Sequence, residues 1–258
     1  MKLERRPPRR KFFARTAAMT SAVLLGGCDS LSRSEWFPKV LDSVSGITES
    51  AIKAIAGRKS MAQEFAEADR SPTFRSNGTD DPGTPEYAGW VDTGFKDYRL
   101  GIGGMVAQPR AFTLDELRAM PARTQITRHD CVEGWSAIAK WKGVPLASLL
   151  AAVQPKPDAR YAVLYCADPM GANNTDFYYE SIDLDDAVHP QTILAYDMND
   201  AALPVANGAP LRLRVERQLG YKHAKYITSI EFVDSFAKIA GGKGGYWEDQ
   251  GYQWWAGI

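Results

Sequence analysis

The chain has 258 residues, 45% of them hydrophobic, which is enough to bury at least one sizeable core. Its 31 basic and 31 acidic residues balance to a net charge of zero. This balance argues against nucleic-acid binding, which needs a basic surface, and gives no reason to expect an anionic membrane surface as a partner.

Residues 1–28 have the composition of an export signal. A basic stretch precedes a short apolar run, Ala17–Leu25, which is far shorter than the ~20 residues that span a bilayer. Arg9 and Arg10, followed closely by two phenylalanines, fit the twin-arginine export pattern. That route carries folded proteins, typically because a cofactor is inserted before export. An ordinary signal for unfolded export is the alternative.

The apolar run ends in Leu-Gly-Gly-Cys28, which resembles the lipobox of bacterial lipoproteins, where the cysteine is lipidated and becomes the new N-terminus. A cleavage region with an incidental cysteine is the alternative. We therefore expect a periplasmic or otherwise exported protein, either free or membrane-anchored through Cys28. If Cys28 is lipidated or removed, Cys131 and Cys166 remain, and two cysteines in an oxidising compartment suggest a disulfide.

Two segments separate this signal from the strand-rich part of the chain. Residues 29–70 are polar, and their apolar side chains recur at roughly helical spacing, so we expect a partly helical N-terminal segment. Turn-forming residues dominate residues 71–89 and predict a long ordered or functional loop. We place the main domain at residues 71–258.

Short strands dominate the predictions for this domain. A Thr113–Glu116 capping box predicts a short helix, and Val144–Ala151 predicts a second helix that two prolines terminate. Ile126 is expected to face inward on a strand that ends at Cys131. The predicted strands are Tyr98–Ile102, Arg123–Asp130, Tyr161–Cys166, Gln191–Met198, Ala209–Glu216 and Tyr226–Val233. Together they indicate an α+β fold that is rich in strands.

The C-terminal tail combines glycines and aromatic residues. The glycine cluster at residues 241–245 allows the backbone to approach a ligand or another part of the chain closely. We expect the aromatic residues that follow, Trp247 and Tyr252 among them, to serve in core or cap packing rather than in binding.

Cys131 lies in a run of polar and charged residues. Arg128 and His129 precede it, and both would favour the thiolate form if they lay close to the sulfur. A thiolate is both a nucleophile and a ligand for soft or high-valent metals. Residue chemistry alone leaves a disulfide, a catalytic thiol and a metal ligand open, and it favours the disulfide in an exported protein.

Two later segments combine amide and basic side chains. The first runs from Asn207 to Arg212, and the second from Gly220 to Lys225. Asparagine both donates and accepts hydrogen bonds, and arginine and lysine bind phosphate. Such residues near glycines are most often parts of solvated loops, so these segments are weak evidence when they are taken alone.

The run Cys-Val-Glu-Gly-Trp-Ser at residues 131–136, with Trp-Lys-Gly downstream, resembles the cysteine loop of the sulfite-oxidase-like molybdopterin oxidoreductases. The resemblance is to the branch near the periplasmic methionine sulfoxide reductase catalytic subunit. It implies that Cys131 coordinates molybdenum and that Glu133 is a catalytic group near the open side of the metal. A surface carboxylate paired with Arg128 is the alternative for Glu133.

The same resemblance implies a set of residues that bind the molybdopterin cofactor. The two basic segments match the pterin-binding segments of the family in order and spacing. Asn77 matches an early asparagine, although the Tyr-Glu pair that follows it in the branch is missing here, and Cys166 stands where the branch has a threonine. The implied cofactor-binding residues are Asn77, Cys166, Asn207, Arg212, His223, Ala224 and Lys225.

The resemblance also implies a fold, a reaction and partners. The fold is the sulfite-oxidase-type molybdopterin-binding fold, expected as a monomer because the dimerisation domain of sulfite oxidase is not recognised. The reaction is two-electron chemistry, oxygen-atom transfer, on a small-molecule substrate, with a membrane haem protein or a soluble cytochrome as a separate electron partner. Sulfite is a less expected substrate because the sequence around Cys131 differs from that of sulfite oxidases. The competing hypothesis is an exported binding lipoprotein, stapled by a Cys131–Cys166 disulfide and without catalytic activity.

Overall fold

The computed structural model of the chain describes residues 60–171 and 176–258, together with residues 34, 36, 37, 44, 47, 48 and 51. The export signal, with its twin arginines and Cys28, lies outside the described residues. Residues 1–55 and 56–258 form two compact units, and every strand named below belongs to the second. Among the described residues, no helix is both long enough and apolar enough to cross a membrane.

The first of two sheets has five strands. Its strands β1 and β10 are parallel, and every other neighbouring pair is antiparallel. The spatial order is β2 (Arg110–Thr113), β1 (Arg99–Gly104), β10 (Ile227–Val233), β5 (Tyr161–Met170) and β6 (Asp176–Asp183).

The second sheet is built on a long hairpin. Its two strands pair continuously from Arg123 opposite Gly143 to Cys131 opposite Trp135, and Gly134 supports the tight turn with a φ of 85°. All pairs in this sheet are antiparallel. Its strands are β3 (Arg123–Cys131), β4 (Trp135–Pro145), β7 (Ile193–Met198), β8 (Ala201–Ala202) and β9 (Arg212–Arg214).

The helices of this unit are short. The predicted capping box is confirmed, because Glu116 N donates to Thr113 Oγ1 at 3.0 Å and Thr113 N donates to Glu116 Oε2 at 2.8 Å. The helices are α1 (Pro85–Asp92), α2 (Leu114–Ala119), α3 (Leu146–Val153), α4 (Leu184–Ala187) and α5 (Tyr246–Asp249), with 3-10 turns at Glu67–Asp69, Val205–Asn207 and Gly220–Lys222.

Helix α1 begins inside the segment that was predicted to be a loop up to residue 89. Pro85 occupies the first turn, where its missing N–H costs nothing, and Thr84 Oγ1 accepts a hydrogen bond from Tyr87 N at 3.3 Å. A proline after a capping residue is typical of a helix start. The loop prediction is therefore wrong for residues 85–89 and agrees with the structure for most of residues 71–84.

Residues 60–70, the end of the segment that was predicted to be partly helical, contain a single 3-10 turn. Phe65 N donates to Ile126 O on β3 at 2.9 Å, and the side chain of Gln191 binds both the N–H and the carbonyl of Ala62. These contacts hold the segment extended against the second sheet. Positions 37, 44, 47, 48 and 51 are helical.

Apolar residues from both sheets and from α3 form the main core, which confirms the strand-rich α+β class. Among its fully buried members are Leu100, Leu149, Leu164, Leu194 and Ile230. Strand β3 departs from this apolar pattern. Ile126 is only partly buried, whereas the polar residues on either side of it, Gln125 and Thr127, are buried together with His129. The inward-facing assignment of Ile126 is therefore wrong by one residue.

Candidate functional site

A cavity of about 200 Å³ opens beside the turn of the β3–β4 hairpin. Segments that are distant in sequence line it, including five residues that the sequence assigned to the site: Asn77, Cys131, Glu133, His223 and Lys225. The other lining residues are Gly78, Thr79, Val132, Asp168, Met170, Tyr178, Tyr221, Trp247 and Tyr252. The fold thus brings the cysteine loop, the early asparagine and the second basic segment to one place.

Cys131 is the last residue of β3 and is partly exposed to the cavity. Burial raises the pKa of its thiol, while a backbone hydrogen bond from Glu133 and the charges of Arg212 and Arg75 act in the opposite direction. The cations that act on the thiol are Arg212 and Arg75, whereas Arg128, which the sequence suggested, is paired with Asp130.

Glu133 occupies the hairpin turn and is exposed. Its Oε2 accepts a hydrogen bond from Trp135 Nε1 at 3.0 Å, which orients the carboxylate. Arg128 lies 2.8 Å from Asp130 instead. The alternative in which Glu133 is a surface partner of Arg128 is therefore wrong, and its carboxylate is available at the cavity.

Arg212 lies behind the cavity and is completely buried. Its Nη2 donates to Asn77 Oδ1 at 2.9 Å and its Nη1 donates to Asn207 O at 3.2 Å. Burial lowers the pKa of Arg212 to about 9, and the charge of Arg214 is the second cause of this shift. The side chain is therefore a cation at neutral pH. Asn77, whose match to the family was loose, is thereby joined to the first basic segment.

Lys225 and His223 bring the second basic segment to the cavity. Lys225 Nζ donates to Ala206 O at 3.0 Å and to Thr79 O. Burial and the nearby Arg212 lower the pKa of Lys225 to about 7. His223 donates from Nε2 to Gln218 O at 3.0 Å, which leaves Nδ1 as an acceptor.

Several buried polar atoms around the cavity have no hydrogen-bond partner among the described residues. They include two donors, Arg212 Nε and Asn207 Nδ2, and two acceptors, His223 Nδ1 and Asp168 Oδ1. Each unsatisfied buried group costs about 1–3 kcal/mol. Donors, acceptors, the guanidinium of Arg212 and the amine of Lys225 in one place fit a ligand that carries both a phosphate and a nitrogen-rich heterocycle. Molybdopterin has this composition, so the residues present fit the cofactor.

Ala224 and Cys166 do not line the cavity. The side chain of Ala224 is buried in the core, and its carbonyl accepts a hydrogen bond from Leu213 N at 2.8 Å. Cys166 lies in the same core, opposite Ile227 of the neighbouring strand. Asp168, two residues further along β5, lines the cavity instead, and burial raises its pKa to about 6.

Sequence reasoning missed five lining residues that lie outside its motifs: Asp168, Met170, Tyr178, Trp247 and Tyr252. An acidic residue inside an otherwise apolar strand is a signal that draws attention to Asp168, because buried carboxylates are rare unless they are paired or functional. No local signal distinguishes the two tail aromatics from packing residues.

A buried polar network explains the unexpected face of β3. Arg214 Nη2 donates to Glu216 Oε2 at 2.6 Å and Arg214 Nη1 donates to His129 Nδ1 at 3.0 Å. Gln125 Nε2 donates to Glu216 Oε1 at 2.8 Å. A Cβ atom on Gly220 would lie 2.6 Å from His129 Nε2, so only glycine lets the second basic segment pack against this strand. The network therefore positions β3, with Cys131 at its end, against the cofactor-binding segments.

In the part of the chain that the structure describes, Cys131 and Cys166 are both free thiols. The disulfide on which the binding-lipoprotein hypothesis depends is thus not formed between these residues.

Comparisons with known proteins identify the family of the chain. The family model described as the oxidoreductase molybdopterin binding domain matches residues 88–238. A protein of Azospira oryzae, provisionally named protein-methionine-sulfoxide reductase subunit YedZ1, is 36% identical over 254 residues, which is 97% of this chain and 88% of that protein. The protein-methionine-sulfoxide reductase catalytic subunit MsrP of Ralstonia nicotianae is 35% identical over 178 residues, covering 66% of this chain and 53% of that protein.

The MsrP of Xanthomonas axonopodis pv. citri is 37% identical over 151 residues, which is 55% of this chain and 47% of that protein. The chain therefore spans about half the length of these two MsrP relatives. The sulfane dehydrogenase SoxCD of Paracoccus pantotrophus superposes with a TM-score of 0.49 at 26% identity, covering 54% of this chain and 39% of that chain. On the family match and the full-length relative, the chain belongs to the molybdopterin-binding oxidoreductases and is a molybdenum-dependent enzyme of that family.

Proposed function

We propose that this protein is an exported oxidoreductase that reduces methionine sulfoxide by oxygen-atom transfer at a molybdenum ligated by Cys131. The observation that carries the proposal is the placement of Cys131 on the same cavity as Asn77, His223 and Lys225, with Arg212 behind it. The substrate class comes from the names of the relatives, which are protein-methionine-sulfoxide reductases.

Each part of the site has a role in this proposal. Arg212 and Lys225 hold the phosphate of the cofactor, Asn207 and His223 bind its heterocycle, and Cys131 is the metal ligand. When bound, the cofactor supplies two-electron oxygen-atom exchange at molybdenum. Reduction of a sulfoxide to a thioether takes up two protons and two electrons and releases water. Glu133, exposed at the cavity and oriented by the Trp135 indole, is the group that handles a proton.

The electrons come from a separate protein. The 258 residues contain no Cys-x-x-Cys-His motif for covalent haem attachment. We propose a membrane haem protein or a soluble cytochrome as the donor. Glu133 and Val132 are exposed and line the cavity, and the proposal places the incoming substrate at these two residues.

The proposal includes export by the twin-arginine route, which rests on Arg9 and Arg10 alone. Changing both to lysine keeps the charge and removes the planar guanidinium groups. We expect the double-lysine variant to accumulate in the cytoplasm, folded and loaded with cofactor, as measured by cell fractionation and metal analysis. Unchanged export of the double-lysine variant would refute this route.

Metal analysis together with sulfoxide turnover tests the proposed function. We expect about one molybdenum per chain and reduction of a methionine-sulfoxide peptide by a chemically reduced dye. Arg212→Ala removes a charge-assisted contact worth roughly 1.5–3 kcal/mol, so cofactor affinity falls by about one to two orders of magnitude. Arg128→Ala, at an exposed arginine outside the cavity, is the control and keeps full occupancy.

Because Arg212 is buried, thermal unfolding is measured beside molybdenum content, and Arg212→Lys keeps the charge without the bidentate geometry. Fully active protein without molybdenum would defeat the proposed function. Wild-type occupancy in Arg212→Ala would show that the phosphate is held elsewhere. Burial of both Arg212 and Lys225 already excludes the reading of these residues as solvated surface groups.

A further inference from the structure

The residues that line the cavity divide by polarity and exposure. Asp168, His223 and Lys225 are at most 5% exposed and form its polar, buried part. Tyr252 and Val132 are 41% and 45% exposed and apolar, and Trp247 is partly buried. The cavity therefore combines buried polar side chains with an exposed lining that includes the apolar Val132 and Tyr252 and the carboxylate of Glu133.

Three aromatic rings of the lining contact one another, and we name them the aromatic wall, defined as Tyr221, Trp247 and Tyr252. The rings of Trp247 and Tyr252 are stacked, with centroids 5.4 Å apart and an interplanar angle of 29°. Tyr221 meets Tyr252 edge to face at 5.2 Å. Such contacts stabilise the relative orientation of the rings.

Three buried charged side chains, which neighbour the aromatic wall in sequence or in space, hold it in place. Lys222, next to Tyr221, donates to Glu180 Oε1 at 2.5 Å and to Glu248 Oε1 at 2.6 Å. Glu248 is the neighbour of Trp247, and all three charged side chains are fully buried. A Cβ atom on Gly245 would lie 2.1 Å from Glu248 Oε2, so glycine is required for this approach.

Asp249 adds a second anchor for the same segment. Its Oδ2 accepts hydrogen bonds from Gly241 N at 2.9 Å and from the Tyr179 hydroxyl at 2.5 Å. Its Oδ1 accepts a third from Lys243 N at 3.0 Å. The glycine cluster of the tail therefore serves to fix helix α5, and with it the ring of Trp247, at the edge of the cavity.

We propose that Trp247 and Tyr252 determine substrate specificity, by contacting the apolar chain that flanks the sulfur of the substrate. This inference rests on the proposed function and names residues that act on its substrate. Aromatic faces bind methylene groups and sulfur favourably, so a rigid wall beside Cys131 and Glu133 favours S-oxides that carry an alkyl chain over small ones. The sequence predicted that these aromatic residues serve in packing, and the proposal adds contact with the substrate for Trp247 and Tyr252.

The test uses the molybdenum-loaded full chain and two probes that differ in the flanking chain. The probes are N-acetylmethionine sulfoxide methylamide and dimethyl sulfoxide. Binding is measured by calorimetry, and KM and kcat are measured separately. We expect Trp247→Ala and Tyr252→Ala each to weaken binding of the methionine probe roughly tenfold and of dimethyl sulfoxide less than about twofold.

Two further sets of variants separate specificity from structure. Trp247→Phe and Tyr252→Phe keep an aromatic face and restore most of the affinity. Phe177→Ala removes an aromatic side chain that is 50% exposed and does not line the cavity, so it leaves both probes unaffected. Molybdenum content and thermal unfolding are followed in every variant, because loss of cofactor would weaken both probes together.

Each outcome decides between the two hypotheses. If the wild type reduces the sulfoxide but Trp247→Ala and Tyr252→Ala keep its ratio of affinities for the two probes, the role of the aromatic wall is overturned. The proposed function then stays in place. Binding that depends on Trp247 without sulfoxide turnover by the wild type overturns the proposed function and supports the aromatic wall. Equal affinity of the wild type for the two probes would overturn the proposed substrate specificity.

Discussion

Replacing Cys131 with serine is expected to abolish sulfoxide reduction while the protein stays folded. Serine is nearly isosteric with cysteine, and position 131 is a partly exposed strand end, so packing is little disturbed. The hydroxyl is a hard and poorly ionised ligand beside a thiolate. Loss of a metal ligand should exceed the roughly 10–100-fold effect that follows loss of an outer-shell partner.

Turnover, molybdenum content, pterin content and thermal unfolding together measure this effect. Cys166→Ser is the matched control, because Cys166 is buried in the core and does not line the cavity. We expect this control to lose about 1–3 kcal/mol of unfolding free energy through an unsatisfied buried hydroxyl and to keep its activity per molybdenum. An active Cys131→Ser enzyme would contradict the ligand assignment.

Replacing Lys222 with methionine is expected to give the largest loss of stability. The substitution leaves the carboxyl groups of Glu180 and Glu248 buried without their cation. Removing one partner of a buried ion pair typically costs about 3–5 kcal/mol. At about 2–4 °C per kcal/mol for a domain of this size, the melting temperature should fall by roughly 6–20 °C.

The pH dependence of this variant has a definite sign. Burial raises the pKa of Glu180 above its ordinary value, whereas Lys222 acts to lower it. A carboxyl group with a raised pKa in the folded state contributes stability at low pH that is lost as pH rises through that pKa. Without Lys222 the pKa rises further, so the stability deficit should be small near pH 5 and larger near pH 8.

Urea unfolding at the two pH values measures this difference. Lys238→Met, at an exposed lysine, is the control and should change the unfolding free energy by no more than about 0.5 kcal/mol. A loss below about 1 kcal/mol in Lys222→Met at both pH values would show that the cluster does not hold the tail in place.

Local patterns in the sequence predicted the parts of the fold that depend on neighbouring residues. The Thr113–Glu116 capping box is confirmed at the start of α2, and the six predicted strands overlap β1, β3, β5, β7, β9 and β10, whereas β2, β4, β6 and β8 were not predicted. Cys131 stands at the end of a strand, as expected. The hydrogen bonds of the capping box act within four residues, and alternation of neighbouring side chains marks a strand, although its pairing partner is distant in sequence, as for Gly101 and Ser229.

Strand β3 shows where such reasoning fails. An apolar residue in an alternating strand normally faces the core, yet Ile126 is only partly buried, while Gln125 and Thr127 are buried. The partner of Gln125, Glu216, is 91 residues away in sequence. Burial of a polar side chain depends on such a partner, and no local pattern reveals it.

For the site, the family resemblance in the sequence predicted the chemistry: a thiol for a metal, amides for a heterocycle, and arginine and lysine for a phosphate. Only the tertiary structure decided which of these groups meet. It joined Asn77 to Arg212 across 135 residues, left Cys166 in the core, and held Trp247 at the cavity next to the buried Lys222–Glu248 ion pair. The physical reason is that residue type sets which contacts are favourable, whereas chain topology sets which residues are close enough to make them.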